Sequence, residues 1–146
     1  MATRPQEELI TDRTISDITN RTHKGNYSAE DLNRIEAWCR YLSDLLLEHG
    51  YYTNIVTYTD WEIGIGKDNM QSNLNRIRSN IKAIKDGFFY LSSIDFDETK
   101  TSVNFTDANN MEKLMANIDT SIEKMIEAYR YADFLIAGDD LGMPNV

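Results

Sequence analysis

Residues 111–136 read MEKLMANIDTSIEKMIEAYRYADFLI, and this stretch decides the fold. Apolar side chains recur in it every three or four positions without an intervening Pro or Gly: Met111, Leu114, Ile118, Ile122, Met125, Tyr129, Ala132 and Ile136. Because a helix has about 3.6 residues per turn, this spacing places the apolar side chains on one face. The stretch predicts one long helix, which begins near Thr106 or Asp107 and ends at Gly138.

Two earlier stretches carry apolar seams of the same kind. One consists of Leu32, Ile35, Trp38, Leu42, Leu45 and Leu46, and the other of Leu74, Ile77, Ile81, Ile84, Phe88 and Leu91. Helices joined by loops of this length usually pack against their neighbours with alternating direction. The sequence therefore predicts an all-α fold, a three-helix antiparallel bundle with one long C-terminal helix.

Capping residues indicate where the first two long helices begin and end. Ser28 with Asp31 three residues later is typical of a helix start, and Gly50 suits the left-handed residue that closes many helices. We expect one helix from Ser28 to Gly50 and another from about residue 68 to Leu91.

The rest of the chain is organised around this bundle. Residues 1–13 are polar and are expected to form a flexible N-terminal arm. A short helix is expected at 14–22, and residues 51–66 form an aromatic-rich interhelix loop whose side chains either fold back over the core, which we favour, or form a binding surface. We expect one helical domain at 14–138 and a C-terminal tail at 139–146.

Charge and composition exclude several classes of partner. The formal net charge is −9 and the sequence pI is near 4.6. Nucleic acid and anionic membrane surfaces are bound mainly through Lys and Arg, so neither is expected as a partner. No run of residues is apolar enough for a membrane span, and the N-terminus does not resemble a signal peptide. Cys39, the one cysteine, is expected to be a small buried residue.

Helical periodicity also predicts which polar residues face solvent. The first long helix should expose Glu30, Asn33, Arg34, Glu36, Arg40 and Asp44. The second should expose a basic side with Arg76, Arg78, Lys82 and Lys85, and the third an acidic side with Glu112, Asp119, Glu123 and Glu127. We expect the basic and acidic helices to lie side by side with matched charges.

No pattern in the sequence predicts catalysis, a cofactor or a metal site. Gly64 to Lys67 fails as a P-loop because Trp61 stands where the first Gly is needed and Asp68 where a Ser or Thr is needed. The acidic loop at 95–98 lacks the fixed spacing of a calcium loop. His23 and His49 have no second His or Cys at ligand spacing, and His49 beside Gly50 suits a helix end. We expect no enzyme, no cofactor and no metal.

The third helix is longer than its partners, and this length predicts an interface. Part of it would extend past the bundle, and its distal apolar residues would need another surface. The predicted protein-interface residues are Tyr131, Phe134, Leu135 and Ile136. We expect the chain to be a homo-oligomer or to dock on another protein.

Several short motifs resemble a known type of module. They are Asp12–Thr14, Tyr27–Glu36, Thr59–Trp61, Asn80–Ile84 and Ala128–Tyr131. Their order resembles small helical modules in structural proteins of tailed phages and prophages of Gram-positive bacteria, over about residues 12 to 138. The chain departs from that pattern at 64–68, where relatives often have Ile-Pro-Thr before the second helix.

The resemblance implies a structural or adaptor subunit of a phage virion, in the tail, baseplate or fibre region. Other virion proteins would be its partners, and its location would be the virion, assembled in the bacterial host cytoplasm. The resemblance transfers no catalytic or ligand residue. The alternative is a cytoplasmic helical regulatory or adaptor protein that binds a single partner through the same end of the third helix.

Overall fold

A computed structural model describes residues 2–25, 28–58, 61, 70–97, 99–100 and 102–142, with backbone alone for 70–71 and 133–142. The helices in this part of the chain are α1 (Ile15–Thr19), α2 (Ala29–Glu48), α3 (Met70–Gly87) and α4 (Phe105–Gly142). No strand occurs among the described residues. The predicted all-α bundle, with a short N-terminal helix and one long C-terminal helix, is confirmed.

Short polar residues and a glycine set the ends of the first helices. Thr14 and Asp17 form a reciprocal capping box at the start of α1. At the start of α2 the Asp31 carboxylate accepts hydrogen bonds from the backbone N–H and the hydroxyl of Ser28, at 2.7 and 3.1 Å. After α2, Gly50 has a φ of +89°, which is the left-handed conformation expected of it.

The ends of α3 and α4 differ from the predicted ones. α3 ends at Gly87, so Leu91 lies outside the helix and is 93% exposed instead of in the seam. A Cβ atom on Gly87 would lie 2.6 Å from Cγ2 of Thr53, which shows how closely the preceding connection crosses here. α4 continues through Gly138 to Gly142 because one Gly inside a helix costs only about 1 kcal/mol.

The three long helices run in the same direction, so the predicted antiparallel arrangement is wrong. Along α2 and α4, Nε of Arg34 donates to Glu112 at 2.6 Å, and the sulfur of Cys39 lies 3.7 Å from that of Met115. Residue numbers therefore increase together along the two helices. α3 runs the same way, because the connection between α2 and α3 passes both helices in the same order. Its residues 57 and 53 contact Arg40 and Ser43 of α2, and its residues 56 and 53 lie beside Asn80 and Gly87 of α3.

Extended connections make this parallel arrangement possible. Tyr51 follows the end of α2, and Trp61 is hydrogen-bonded to Asn33 near its beginning. Eleven extended residues can span up to about 36 Å at ~3.3 Å per residue, while α2 is about 30 Å long. The connection thus returns the chain to the starting end before α3 begins. The antiparallel prediction failed because it treated the connections as turns.

The seams of α2, α3 and α4 meet in one apolar core. Side chains with 0% exposure come from all three helices: Ile35, Leu42, Leu46, Ile81, Ile84, Leu114, Met115, Ile118 and Ile122. Cys39 is also fully buried, as predicted. Burial of each large aliphatic side chain contributes about 1.5–3 kcal/mol, so this core supplies the main driving force for folding.

The connection at 51–58 places alternate side chains on the bundle. Its odd-numbered residues are partly buried and its even-numbered residues are exposed. Tyr51 packs against the core and Trp61 is buried, whereas Tyr52 and Tyr58 are exposed. The preferred interpretation, in which the aromatic residues cover the core, therefore holds for Tyr51 and Trp61 only.

Three asparagines, one on each long helix, hold extended backbone in place. Each side-chain amide donates to the C=O and accepts from the N–H of a single residue: Asn33 holds Trp61, Asn80 holds Val56 and Asn109 holds Arg13. The six donor–acceptor distances lie between 2.7 and 3.3 Å. An amide suits this task because it carries a donor and an acceptor side by side. We call these residues the asparagine clamps.

Residues 2–13 lie along α2 and α4 instead of forming a free arm. The indole N–H of Trp38 donates to the backbone C=O of Glu7 at 2.8 Å. The guanidinium of Arg4 donates to Asp119 at 2.5 Å and lies 4.8 Å from the Trp38 ring centre. The bundle therefore holds this segment through polar contacts, which leave no apolar periodicity in the sequence.

Candidate protein-interaction site

α4 extends beyond the ends of the other helices. Met125 and Ile126 are the last residues along α4 that are seen to pack against the core, and every residue from 127 to 132 is exposed. The helix continues from residue 127 to Gly142 for about 24 Å at 1.5 Å per residue. We call residues 127–142 the projecting helix.

The projecting helix contains the four residues predicted to form an interface. Tyr131 is 65% exposed, and its neighbour Tyr129 is 62% exposed. The side chains of Phe134, Leu135 and Ile136 lie outside the described residues. Large exposed tyrosines are enriched at protein interfaces, since they combine a broad apolar surface with a polar tip. Their role in an interface stays a prediction.

Large apolar side chains are exposed at the same end of the bundle. They come from the last turn of α2 and from the segments that follow α2 and α3: Leu47, Tyr52, Phe89 and Leu91. The backbone of Tyr52 passes beside Gly87, which joins the two connections at this end. We call these four residues the apolar shelf. Several exposed apolar groups at one end of a protein are typical of surfaces that contact another protein.

Phe89 of the shelf is held in an unfavourable backbone conformation. It has a φ of +55°, and the Tyr90 amide bonds back to the C=O of Lys85 at 2.9 Å. The same closing pattern after α2 uses Gly50, which adopts positive φ without a steric penalty. A bulky residue in this position is strained, and the fold keeps an exposed aromatic ring here despite that strain.

Several polar side chains that were predicted to face solvent are buried. On α2 these are Arg34 and Glu36, and on α4 they are Glu112 and Asp119. The extended segments cover the faces that carry these residues. Helical periodicity identified the apolar stripe correctly, but it could not show that a non-helical segment lies on the opposite side.

The largest buried cluster joins the N-terminal segment to α2 and α4. Arg13 lies 2.7 Å from Glu112 and 3.1 Å from Asp31, and Arg34 lies 2.6 Å from Glu112 and also pairs with Asp31. Two positive and two negative groups therefore balance each other. Buried charges are tolerated only with such pairing, and removal of one partner is strongly destabilising.

Contacts within this cluster favour the charged forms of Asp31 and Arg34. Burial alone would raise the pKa of Asp31, but the hydrogen bond from the Ser28 backbone and the charge of Arg34 outweigh burial and lower it. Burial alone would lower the pKa of Arg34, and the contacts with Glu112 and Asp31 raise it. Both groups stay ionised at neutral pH, so their ion pairs hold the N-terminal segment, α2 and α4 together.

The basic side of α3 pairs differently from the prediction. Arg76 pairs with Glu36 of α2 instead of α4, and it lies 4.2 Å from the ring centre of Tyr58. Arg78 is buried and donates to the backbone C=O groups of Lys100 and Ser102. These arginines hold connecting segments on the bundle.

A surface cavity of about 620 Å³ lies between the N-terminal segment and Tyr58. Ala37 and Tyr41 of α2 are among its lining residues. Two arginines at its edge already have partners, since Arg4 pairs with Asp119 and Arg40 lies 3.7 Å from Asp44. Both arginines are thus already paired with carboxylates, and neither offers an unpaired charge to a ligand in the cavity.

The residues considered for catalysis or metal binding occupy ordinary structural positions. His49 forms the C-cap of α2, and His23 is exposed beside Glu30 at 3.0 Å. Burial raises the pKa of the Cys39 thiol to about 12, so the thiol is unreactive in the folded protein. Asp97 accepts hydrogen bonds from Thr99, and these lower its pKa.

The described residues contain no group of acidic, histidine and cysteine side chains suited to a metal, and none of their helices is long and apolar enough to span a membrane. The Gly64–Lys67 segment lies outside the described residues.

Fold and site together define a small all-α bundle protein with one helix projecting from an apolar end. Comparison with protein-family models, curated proteins and solved structures found no significant match.

Proposed function

We propose that this chain is a structural or adaptor subunit of a tailed-phage virion that acts through self-assembly and docking on other virion proteins, without catalysis. One observation carries the proposal: a helix that is exposed on all sides from residue 127 to 132 extends from the bundle. Such a helix gains no stability from the core of its own chain.

The projecting helix needs a partner for physical reasons. Helices shorter than about 12–15 residues are marginally stable in water, and most helical stability in proteins comes from packing. Residues 127–142 continue a helix that is nucleated on the bundle, but residues 127–132 are exposed and gain no packing there. Contact with another protein surface would supply the missing packing, which favours a role in assembly.

The positions of the resembling motifs support the virion part of the proposal. These motifs include two of the asparagine clamps, Asn33 and Asn80. They also include two residues whose backbone is held by a clamp, Arg13 and Trp61. Residues with this role are expected to recur in proteins that share the fold. The motifs therefore act as a structural signature, and the virion context comes from the proteins they resemble.

The test is association with particles. In a culture that produces particles with this chain, an antibody against the chain should detect it in the sedimented particle fraction. A variant truncated after Ile126 keeps the bundle and should stay in the supernatant. If the full chain also stays in the supernatant, the virion role is wrong and the single-partner regulatory protein becomes the better interpretation. Circular dichroism of both proteins confirms that the truncated chain is folded.

A further inference from the structure

We propose that a second copy of this chain is the partner at the projecting end. The projecting helices of two copies pack antiparallel about a two-fold axis, and the tip of each helix reaches the apolar shelf of the other copy. This inference rests on the self-assembly part of the proposed function and is independent of its virion part.

The parallel bundle places both surfaces at one end of the molecule. α2 and α3 end at the shelf, and α4 passes that level in the same direction. In a two-fold dimer, the same patch of each copy contacts its counterpart, and the contact closes on itself. A projecting helix beside a shelf fits this geometry, because the tip of each helix points toward the base of the other.

The exposed apolar area matches what a stable dimer needs. The shelf residues Leu47, Tyr52, Phe89 and Leu91 are 57%, 75%, 81% and 93% exposed. With aromatic side chains offering about 150–250 Å² each, the shelf presents roughly 500 Å². Tyr129 and Tyr131 are two positions apart and face different sides of α4, so one of them adds roughly 130 Å². A standard stable interface buries ~800 Å² per partner, of which somewhat more than half is apolar, so roughly 630 Å² of apolar surface is enough.

Charge gives the dimer a distinctive dependence on salt. Residues 127–142 contain four acidic side chains and one basic side chain, a net charge of −3. Two such helices repel each other weakly, and salt screens this repulsion. Association of two copies should therefore strengthen as the salt concentration rises, whereas binding of a basic partner would weaken.

The first experiment measures the mass of the full chain by light scattering over a concentration series at low and high salt. We expect the mass to double with concentration, and to do so at lower concentration in high salt. Leu91→Ser and Tyr129→Ser, each at an exposed position, should raise the dimer dissociation constant about tenfold or more, since each change acts twice in a symmetric dimer. Ile15→Ser is the control, because Ile15 is 68% exposed but follows the buried cluster at the opposite end.

Cross-linking tests the antiparallel orientation. Cys39 is fully buried, so an introduced surface cysteine is the reactive one. In this dimer the two-fold axis passes through the midpoint of residues 127–142. The two copies of residue 132 are then offset by about 8 Å along the helix axis, and the two copies of residue 128 by about 20 Å. A short bismaleimide should therefore link Ala132→Cys chains efficiently and Ala128→Cys chains poorly.

Several results would overturn the inference. These are a monomer at every concentration and salt, a dimer insensitive to both Leu91→Ser and Tyr129→Ser, and equal cross-linking at positions 128 and 132, which indicates parallel helices. A dimer that never joins particles would contradict the virion role and leave this inference intact.

Discussion

The clamp formed by Asn80 predicts a specific loss of stability. This side chain is 5% exposed, and it donates to the C=O of Val56 at 2.7 Å and accepts from the Val56 N–H at 3.3 Å. Asn80→Ala removes both hydrogen bonds and leaves the rest of α3 unchanged. Asn75 lies on the same helix and is exposed, so Asn75→Ala is a matched control with the same change in composition.

The expected loss follows from the partners that remain. Two hydrogen bonds contribute about 0.5–1.5 kcal/mol each to the free energy of unfolding. The Val56 C=O keeps a second donor, Arg76, at 2.7 Å, so only the N–H loses its partner completely. We therefore expect Asn80→Ala to lower the free energy of unfolding by about 1–2 kcal/mol. Each kcal/mol corresponds to about 2–4 °C in Tm for a chain near this size.

Urea unfolding followed by tryptophan fluorescence provides the assay, since Trp38 and Trp61 are both buried in the folded chain. Asn80→Asp adds a second test, because a carboxylate can accept from the Val56 N–H but cannot donate to its C=O. Its deficit relative to wild type should shrink at acidic pH, where the protonated carboxyl regains a donor. A loss for Asn80→Ala no larger than that for Asn75→Ala would refute the clamp.

Other positions give equally direct predictions. Phe89→Gly should raise the urea midpoint, because it relieves about 1 kcal/mol of backbone strain. Gly50→Ala should lower the midpoint by a similar amount, because it introduces the same strain. Equal midpoints for the two variants would contradict the role given to positive φ. Glu112→Gln leaves positive charge uncompensated inside the bundle and should lower the free energy of unfolding by about 3–5 kcal/mol. The control is Lys113→Gln at the exposed neighbouring position, which should change the free energy of unfolding by less than about 0.5 kcal/mol. Because the folded pKa of Asp31 lies below its unfolded value near 3.9, the stability it contributes is present above about pH 4 and is lost as pH falls through the folded pKa. Asp31→Asn should thus be less stable than wild type at pH 7 and approach it in acid, and a constant difference in unfolding free energy from pH 7 to pH 2 would contradict this linkage.

The helices themselves could be predicted from the sequence. Apolar seams with a period near 3.6 residues were enough for α2, α3 and α4, and the capping residues Ser28 and Gly50 marked both ends of α2. These signals are local, since they depend on side chains within a turn or two of each other. The extension of α4 past its partners followed from length alone.

The tertiary contacts of polar residues left no local signal in the sequence. Asn33 was predicted to face solvent, and nothing in the sequence singled out Asn80 or Asn109. Each of the three holds backbone from a distant part of the chain. Arg13 lies in a stretch without periodicity and reaches Glu112 far along the sequence. The direction of the helices was missed for the same reason, because it depends on how the connections lie on the bundle.

The parallel direction of the helices has a consequence for how the chain folds. No two long helices can first pair as a local hairpin, since α2 meets α3 through residues 40 positions apart and α4 through residues 78 positions apart. Loop-closure entropy opposes such distant pairings, and folding rates fall as the sequence separation of contacts grows. We therefore expect refolding to be slower than for an up-and-down bundle of equal length. During synthesis, the apolar face of α2 is fully covered only when the ribosome has made the chain through Ile122, which completes the core.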